Sequence, residues 1–303
     1  MSDSENILTY GDKKRLTDEI SFQLMDAGHI PGSASVLLEI DNTKIYTGDI
    51  KTIDTYLQKG ATVPKADILI TDGNRTHPNR KELEKEFVDI IDETISRGGI
   101  AVVPAFAVGR TQEVLIMPGN INHPVYLDGM GQDITRLFLQ FPDHLKDAEL
   151  LRESANKVEW ISNSSERKRV LYQPCVIVTT AGMINGGPII NYIQRLRSDP
   201  KSSIILTGYQ VEGTNGRLLM EKGYIIDEHT NRKILVQMNV HQFDFSAHAG
   251  RHSLEWIAEE VSPEIAFVVH GDPECATSFG KFLETICDNI YIPEIGDRIN
   301  IEV

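Results

Sequence analysis

Between residues 100 and 206 the sequence alternates short apolar runs with stretches of helical periodicity, and this alternation limits the fold more than any other feature. The apolar runs are IAVVP, PVYLD, CVIVTT and SSIILTG. Three helical stretches lie between these runs: one begins at Thr111, a second ends near Leu151 and a third begins at Pro188. Continuously apolar strands that alternate with helices are typical of a parallel sheet covered on both faces. The sequence therefore predicts an α/β lobe in the middle of the chain.

The segment before this lobe predicts a β-hairpin and a helix. Residues 34–49, ASVLLEIDNTKIYTGD, contain two β-rich runs separated by the turn signal DN, which predicts the hairpin. A run of apolar residues at helical spacing predicts a helix that ends before Gly98 and Gly99. Its members are Leu83, Phe87, Val88, Ile91 and Ile95.

The segment after Gly216 is again rich in strand-forming residues. It contains KILVQMNVHQF, EIAFVVHG and a predicted last strand pair around IYIP and INIEV, with helices at about 254–260 and 273–287. We therefore predict an α/β lobe, residues 76–212, inserted into a domain formed by residues 1–75 and 213–303.

Composition and charge restrict the cellular compartment and the binding partners that the sequence predicts. The formal net charge is −14 and the sequence pI is about 5.1, so non-specific attraction to nucleic acid is not expected and any RNA-binding surface must be local. The three cysteines form no CxxC pair and no apolar leader precedes MSDSEN, which predicts a cytoplasmic protein. No apolar run reaches the ~18 residues that span a bilayer, so no membrane association is expected.

The segment DAGHIPGSASVLLEI, residues 26–40, places His29 in a glycine-flanked loop before a predicted strand. Asp49 follows the next strand. Hairpin geometry can bring an imidazole and a carboxylate together, which would supply half of a metal site. The alternative interpretation is a loop histidine and a turn aspartate, both common residue types in loops. Two further histidines favour the first interpretation, because His248 in FDFSAHAG and His270 in VVHG each follow a strand-like run and precede glycine.

The ordered segments DAGHIPGS, YTGD, PAFAVGRTQE, VYLDGM, TTAGMINGGP, TGYQVEGTNGR, FSAHAG and VVHG resemble the β-CASP branch of the metallo-β-lactamase superfamily. That branch includes the cleavage-and-polyadenylation endonuclease, its archaeal relatives and RNase J. The resemblance runs from about residue 20 to the end of the chain. It implies an α/β fold: a partial metallo-β-lactamase αββα sandwich, carrying an inserted β-CASP lobe with a mainly parallel sheet.

The resemblance also implies the site residues. His29 matches the histidine that binds one zinc ion, Asp49 the carboxylate that bridges two, and His270 the histidine on the second. His248 matches the histidine that assists the leaving group, and Asp72 in ITDGN matches its acidic partner. Two zinc ions ~3.5–4 Å apart can activate water and clamp both reacting oxygens of a phosphodiester. We expect four of these residues to converge in one cleft between the lobes: His29, Asp49, His248 and His270.

The family's H-x-H-x-D-H segment, which supplies further zinc ligands, is not found before DAGH, since the 25 residues before Asp26 contain no histidine. Zinc binding by this chain alone is therefore expected to be weak or absent, and its activity weak or absent without that segment. An apolar sheet face or edge should also be exposed. Three explanations remain open: a fragment, one half of a split enzyme with a separate N-terminal chain, or a non-catalytic paralogue. The chain retains His29, Asp49, His248 and His270, which favours a fragment or one half of a split enzyme over a non-catalytic paralogue.

Glycine-rich turns after predicted strands are candidate contacts for the RNA backbone. In PAFAVGRTQE a strand-to-helix junction should offer free backbone N–H groups to a phosphate. The turns in 180–188 and 208–217 could let a backbone approach closely, although glycine after a strand is more often just a tight turn. The candidate substrate-binding residues are Gly109, Arg110, Thr111, Gly186, Gly187, Gly213 and Arg217.

The sequence thus predicts a zinc-dependent ribonuclease-family protein that acts on RNA phosphodiesters, in mRNA 3′-end processing or RNA decay. The alternative is a non-catalytic RNA-binding or assembly subunit of a β-CASP complex. A small-molecule metallo-hydrolase is disfavoured, because the inserted lobe and its glycine turns have no role there. The final segment IYIPEIGDRINIEV alternates apolar and polar residues as a sheet-edge strand would, which predicts a homodimer formed through it.

Overall fold

The computed structural model describes residues 8–73, 80–117, 123–228 and 230–301. The elements of the first half are β1 (Lys13–Arg15), β2 (Ile20–Asp26), β3 (Ala34–Ile40), β4 (Thr43–Thr47), β5 (Ile68–Asp72), α1 (Arg80–Ser96), β6 (Ala101–Pro104), α2 (Arg110–Ile116), β7 (Val125–Asp128), α3 (Gly131–Gln140) and α4 (Ala148–Lys157). Those of the second half are β8 (Glu159–Trp160), α5 (Ser164–Arg169), β9 (Val176–Thr179), α6 (Pro188–Leu196), β10 (Ser203–Leu206), α7 (Asn215–Lys222), β11 (Tyr224–Asp227), β12 (Arg232–Leu235), β13 (Asn239–Gln242), α8 (Arg251–Val261), β14 (Ile265–His270), α9 (Pro273–Leu283) and β15 (Asn289–Tyr291).

The described residues divide into two compact units. Unit 1 contains residues 8–73 and 247–301, and unit 2 contains residues 80–246. Unit 1 is therefore built from two separate chain segments, with unit 2 inserted between them. Within the described ranges no helix is both long and apolar enough to span a bilayer.

Unit 1 is built on a seven-stranded sheet with the order β1-β2-β3-β4-β5-β14-β15. The pairs β1–β2, β2–β3 and β3–β4 are antiparallel, whereas β4–β5, β5–β14 and β14–β15 are parallel. The predicted hairpin is present as β3 and β4. Its turn residues Asp41 and Asn42 have φ angles of 47° and 71°, the left-handed conformation that the tightest hairpin turns require and that Asp and Asn tolerate.

The two faces of the unit 1 sheet are buried to different extents. One face packs against α8 and α9, where Tyr46, Leu69 and Ala266 contact the helical residues Leu254 and Phe279 in one apolar cluster. The opposite face carries Ile68 and Ile265, which are buried, and further apolar side chains that are half-buried: Leu24, Val36, Leu38, Ile45, Ile70 and Phe267. The exposed apolar face expected from the sequence is therefore only partly open.

Unit 2 is built on a parallel sheet with the order β13-β10-β6-β9-β7-β8. Val102, Ile177 and Ile204 enter an apolar cluster that includes α6. Their neighbours along the same strands, Val103, Val178 and Ile205, enter a second cluster that includes Phe87 and Ile91 of α1. Burial on both faces explains why these strands read as continuous apolar runs, and it confirms the prediction of a parallel sheet covered by helices.

Two details differ from the sequence-based expectations. Unit 2 extends to Ser246 rather than to residue 212, because β13 pairs in parallel with β10 and so continues the unit 2 sheet. The predicted final strand pair is present only in its first member, β15, at the edge of the unit 1 sheet. The described part of the second run, residues 299–301, forms no strand.

Candidate metal centre

Five side chains singled out in the sequence lie at strand ends or in adjoining loops of unit 1. His29 lies in the loop between β2 and β3, and Asp49 lies two residues beyond the end of β4. Asp72 and His270 are the last residues of β5 and β14, which are neighbouring parallel strands, and the two residues are paired in the register. His248 lies just before α8. The carboxyl ends of the strands thus bring residues distant in sequence to one edge of the sheet.

The loop that carries His29 is folded by local hydrogen bonds. The carboxylate of Asp26 accepts a bond from the N–H of Gly28 at 2.9 Å. The hydroxyl of Ser33 accepts one from the N–H of Ile30 at 3.1 Å. Short polar side chains that bond to nearby backbone groups in this way stabilise a turn against extended alternatives. The imidazole between them is therefore held on an ordered loop.

The side chains of His29, Asp49 and His248 converge. One candidate ligand atom from each lies within 4.8 Å of the others. The ring centroids of His29 and His248 are 4.6 Å apart. The ring of His270 is the next neighbour, with its centroid 5.5 Å from that of His248. His29, Asp49, His248 and His270 therefore lie together within unit 1.

The hydrogen bonds of two histidines fix which ring nitrogen is available. Nδ1 of His29 lies 3.0 Å from the carbonyl oxygen of Ala247. Because a carbonyl only accepts, Nδ1 donates and Nε2 keeps its lone pair. Nδ1 of His248 lies 3.2 Å from Oδ2 of Asp72, a carboxylate that is 1% exposed. The contact predicted between Asp72 and His248 is therefore present, and it also leaves Nε2 of His248 to face the site.

The two neighbouring rings differ in their affinity for protons. Burial lowers the pKa of His29, and the adjacent His248 lowers it further. The hydrogen bond with Asp72 raises the pKa of His248, and this effect outweighs burial, which acts in the opposite direction. His29 is therefore a neutral imidazole at neutral pH, as a metal ligand must be. His248 holds a proton more readily than an ordinary histidine, as a proton donor must.

The donor set fits zinc. Zinc binds histidine nitrogen and carboxylate oxygen at ~2.0–2.2 Å, and catalytic zinc sites use three protein ligands with one position open. Two ligands of one ion can then be at most ~4.4 Å apart, so small side-chain movements would close the group of His29, Asp49 and His248 around an ion. The bond between His29 and the Ala247 carbonyl is of the kind that orients metal-binding histidines.

His270 lies outside this three-residue group, although the sequence predicted it as a zinc ligand and His248 as a catalytic residue. The register of β14 against β5 shifts between Val268 and His270. Val269 and His270 are both exposed at this strand end. His248 thus joins His29 and Asp49 in the three-residue group, and the His270 ring stacks against that of His248.

At the junction formed by Gly109, Arg110 and Thr111, two of the N–H groups predicted to be free are already bonded within the chain. The N–H of Arg110 donates to the carbonyl of Val108 at 2.9 Å, and that of Thr111 donates to the carbonyl of Phe106 at 3.0 Å. The side chain of Thr111 is fully buried, and Arg110 is 8% exposed with its guanidinium over the ring of Phe245. Burial lowers the pKa of Arg110 to about 10. Arg110 and Thr111 therefore support the interior of unit 2.

The two other glycine-rich turns contact each other, as expected for loops at one edge of a parallel sheet. The amide nitrogen of the Gln210 side chain donates to the carbonyl of Gly182 at 3.2 Å. The N–H of Gly216 donates to the carbonyl of Met183 at 2.9 Å. This contact brings together the segments after β9 and β10.

The remaining predicted substrate-binding residues lie in or next to these turns. Gly186 and Gly187 belong to the first turn and have φ angles of 81° and 78°. Gly213 is exposed in the second. Arg217 lies on α7, where its Nε is 2.5 Å from a carboxylate oxygen of Glu221. These four residues are thus more accessible than the buried Arg110 and Thr111.

Lys51 lies beside the histidines, and nothing in its sequence context distinguishes it from a surface lysine. Its ammonium group donates to the carbonyl oxygen of His248 at 3.4 Å. The position follows Asp49 by two residues, in the segment IK after YTGD, and only the structure shows its contact with His248.

Two domain families match parts of this chain. Residues 112–219 match the Beta-Casp domain, and residues 233–293 match the family described as the Zn-dependent metallo-hydrolase RNA specificity domain. The first range lies within unit 2, and the second includes His248 and His270.

Several archaeal proteins are similar to this chain over most of its length. A probable RNase, MJ4, from Methanocaldococcus jannaschii is 41% identical, with 97% of this chain and 72% of that protein covered. RNase aCSPSF2 from Saccharolobus solfataricus is 35% identical, with 96% of this chain and 61% of that protein covered. Transcription termination factor FttA from Pyrococcus horikoshii is 36% identical, with 88% of this chain and 46% of that protein covered.

The domain matches, the similarity to these proteins and the arrangement of His29, Asp49 and His248 agree with one another. The chain belongs to the metallo-β-lactamase/β-CASP family of RNA-processing ribonucleases.

Proposed function

We propose that this chain takes part in zinc-dependent hydrolysis of RNA phosphodiester bonds, in 3′-end processing or RNA decay in the cytoplasm. The observation that carries the proposal is the convergence of His29, Asp49 and His248, whose candidate ligand atoms lie within 4.8 Å of one another, with Asp72 bonded to Nδ1 of His248. The pKa values of the two imidazoles are also shifted in opposite directions. Pairs of titratable groups whose environments separate their pKa values are typical of acid–base sites. Two of the similar proteins are described as RNases and a third as a transcription termination factor.

In this proposal His29 and Asp49 hold one zinc ion, and Asp49 and His270 contribute to a second. Bound zinc would lower the pKa of a water molecule and stabilise the charge on the phosphate. His29 presents Nε2 because the Ala247 carbonyl engages Nδ1. Each ion would then have only two ligands from these residues, so further ligands for both ions would come from an H-x-H-x-D-H segment, carried by a separate N-terminal chain if this chain has none.

His248 is the proposed proton donor to the leaving oxygen. Asp72 engages Nδ1, so the transferable proton is on Nε2. A protonated Nε2 cannot bind a metal ion, and the raised pKa of His248 therefore favours the role of donor over that of ligand. The carboxylate also stabilises the imidazolium and fixes the orientation of the ring.

The test is cleavage of a 5′-labelled single-stranded RNA by the purified chain, alone and together with a candidate N-terminal chain that carries an H-x-H-x-D-H segment, with added zinc and, separately, with a chelator. Cleavage is expected with zinc and the N-terminal chain, weak or absent with zinc and this chain alone, and absent with the chelator. Asp72→Asn is expected to reduce the rate ~100-fold, since proton transfer by a positioned group contributes ~10²–10⁴-fold. Asp41→Asn, in the exposed turn between β3 and β4, serves as the control and should cleave like the wild type.

The pH profile provides a second readout of the same variant. The pKa of His248 is raised in the folded protein, so the proton needed for catalysis is present at low pH and is lost as pH rises through that pKa. Without the Asp72 carboxylate the decline in rate should begin at lower pH. If the chain binds RNA and zinc but cleaves under no condition, the non-catalytic RNA-binding subunit becomes the better description.

We also propose that the exposed turns of unit 2 contact the RNA backbone. Gly186, Gly187 and Gly213 have no side chain to cover their backbone groups, and Arg217 carries a positive charge shortly after Gly213 in the second turn. The loss of one phosphate contact in Arg217→Gln should weaken RNA binding and reduce the slope of log affinity against log salt by about 1.

A homodimer through the C-terminal segment is proposed as well. Strand β15 is at the edge of the unit 1 sheet. Beyond it Ile292 is 41% exposed and Ile295 is fully exposed. An edge strand followed by exposed apolar residues can pair with a second copy, which would satisfy backbone groups and bury those side chains. Light scattering should give a dimer for the intact chain and a monomer for a version that ends before Asn289. A monomeric intact chain, or a truncated chain that remains dimeric, would refute this contact.

A further inference from the structure

The three residues centred on His248 are each bonded to the segments that carry His29 and Asp49. The carbonyl of Ala247 faces Nδ1 of His29 at 3.0 Å. The N–H of Ala249 donates to the carbonyl of Ile50 at 2.6 Å. The carbonyl of His248 itself accepts from the ammonium of Lys51 at 3.4 Å. The backbone on both sides of His248 is thus fixed by groups outside its own segment.

Lys51 is itself held at both ends of its backbone. Its N–H donates to the carbonyl of Ala27 at 2.9 Å, and its carbonyl accepts from the N–H of Ala61 at 2.8 Å. Ala27 lies two residues before His29, and Lys51 lies two residues after Asp49. One residue therefore connects the loop of His29, the segment of Asp49 and the backbone of His248.

The chemistry of the contact suits a positioning role. A charged ammonium group makes a stronger hydrogen bond to a carbonyl than a neutral donor does. Lys51 is half-buried, which reduces screening of its charge by water. The imidazole of His248 has to reach Asp72 with Nδ1 and the leaving oxygen with Nε2, and a rotation of its backbone would disturb both contacts.

We propose that Lys51 is a positioning residue for His248: its ammonium group fixes the His248 backbone and so sets the direction in which the imidazole presents its proton. The catalytic part of this inference rests on the proposed function, whereas the structural part does not. A misplacement of ~1 Å at a reacting group can cost ~100-fold in rate. The loss of one of three tethers should cost less than that.

The experiment compares Lys51→Met, Lys51→Arg and Lys59→Met in the full chain. Lys51→Met removes the ammonium group and retains most of the apolar stem. Lys51→Arg retains the charge and the donors. Lys59→Met is the control, because Lys59 is exposed in the same segment. Two quantities are measured: exchange of the Ala249 amide in the metal-free protein, and kcat and KM for RNA cleavage with zinc.

Lys51→Met should raise the exchange rate of the Ala249 amide ~10-fold, which corresponds to loss of one hydrogen bond to a charged group. It should lower kcat ~10-fold and leave KM within ~2-fold, since orientation rather than RNA binding is impaired. Lys51→Arg should restore both quantities to within ~3-fold. Lys59→Met should change neither.

An unchanged Ala249 amide in Lys51→Met would overturn the inference, whatever the activity. Faster exchange with an unaltered kcat would overturn the link to His248 and leave Lys51 with a purely structural role. If the wild type cleaves no RNA at all, the proposed function fails, and the exchange measurement still decides whether Lys51 holds this backbone.

Discussion

Replacing Asp49 with asparagine is expected to release zinc, whereas replacing His248 with glutamine is expected to retain zinc and abolish cleavage. Asp49 offers a carboxylate oxygen within 4.8 Å of the candidate ligand atom of His29. Its loss should weaken zinc binding by at least ~100-fold, since removal of outer partners of metal ligands alone costs ~10–100-fold. His248→Gln should lower the rate of RNA cleavage ~10³-fold, as expected for loss of a general acid. Zinc content by mass spectrometry and the cleavage rate separate the two effects.

His252→Gln is the matched control for His248→Gln. The side chain of His252 is 86% exposed in α8, within unit 1 and four residues away along the chain. This variant should retain both zinc and activity. If His248→Gln loses zinc together with activity, His248 is a metal ligand, as the three-residue group by itself suggests, and the role of proton donor must be assigned to another residue.

Most residues of the candidate site could be selected from the sequence because they lie next to predicted strands and glycines. Histidines close to glycine and beside strand-like runs indicated His29, His248 and His270, and the hairpin pattern placed Asp49. Asp72 required the resemblance to a family, and the structure places it against His248. The Ala247 carbonyl and the Lys51 ammonium were not predictable, since neither residue type carries a signal and both contacts join segments about 200 residues apart in the chain.

Arg110 shows why some site predictions differ from the structure. A glycine followed by arginine at a strand-to-helix junction is a plausible phosphate site, but the same pattern occurs where the arginine turns inward. Here Arg110 and Arg80 both lie over the ring of Phe245, and Arg80 pairs with the buried Glu113 at 2.5 Å. This inward arrangement of Arg110 depends on Arg80 from α1 and on Phe245 from the segment after β13, so a local motif could not reveal it.

The fold shows the same division between local and non-local information. The hairpin of β3 and β4 and the helix α1 follow from periodicity and turn residues close together in sequence. Strand β13 does not: it has four residues, NVHQ, and joins unit 2 through parallel pairing with β10 across more than 30 residues. Parallel pairing requires a long connection, so no turn signal marks the partner.

Gly28→Ala is expected to destabilise unit 1 more than Gly32→Ala, although both glycines flank His29 and both have positive φ. The φ angles are 63° and 85°. A methyl group at Gly32 would meet no atom within 4 Å, so the cost is the strain of a left-handed alanine, ~1–2 kcal/mol. A methyl group at Gly28 would lie 2.3 Å from the carbonyl oxygen of Lys51 and 2.8 Å from the nitrogen of Ala61.

Both of those atoms belong to the backbone, so the clash at Gly28 can be relieved only by moving the segment that follows Asp49. The free energy of unfolding should therefore fall by ~3–4 kcal/mol in Gly28→Ala, the sum of left-handed strain and displaced packing. Zinc binding should weaken as well, because the displaced segment carries Asp49 and the Lys51 backbone bonds. Denaturant unfolding of both variants, with zinc titration of the folded proteins, measures the two effects. Equal losses of stability in the two variants would show that the segment after Asp49 yields freely, and that its contact with the His29 loop does not determine the geometry of the metal centre.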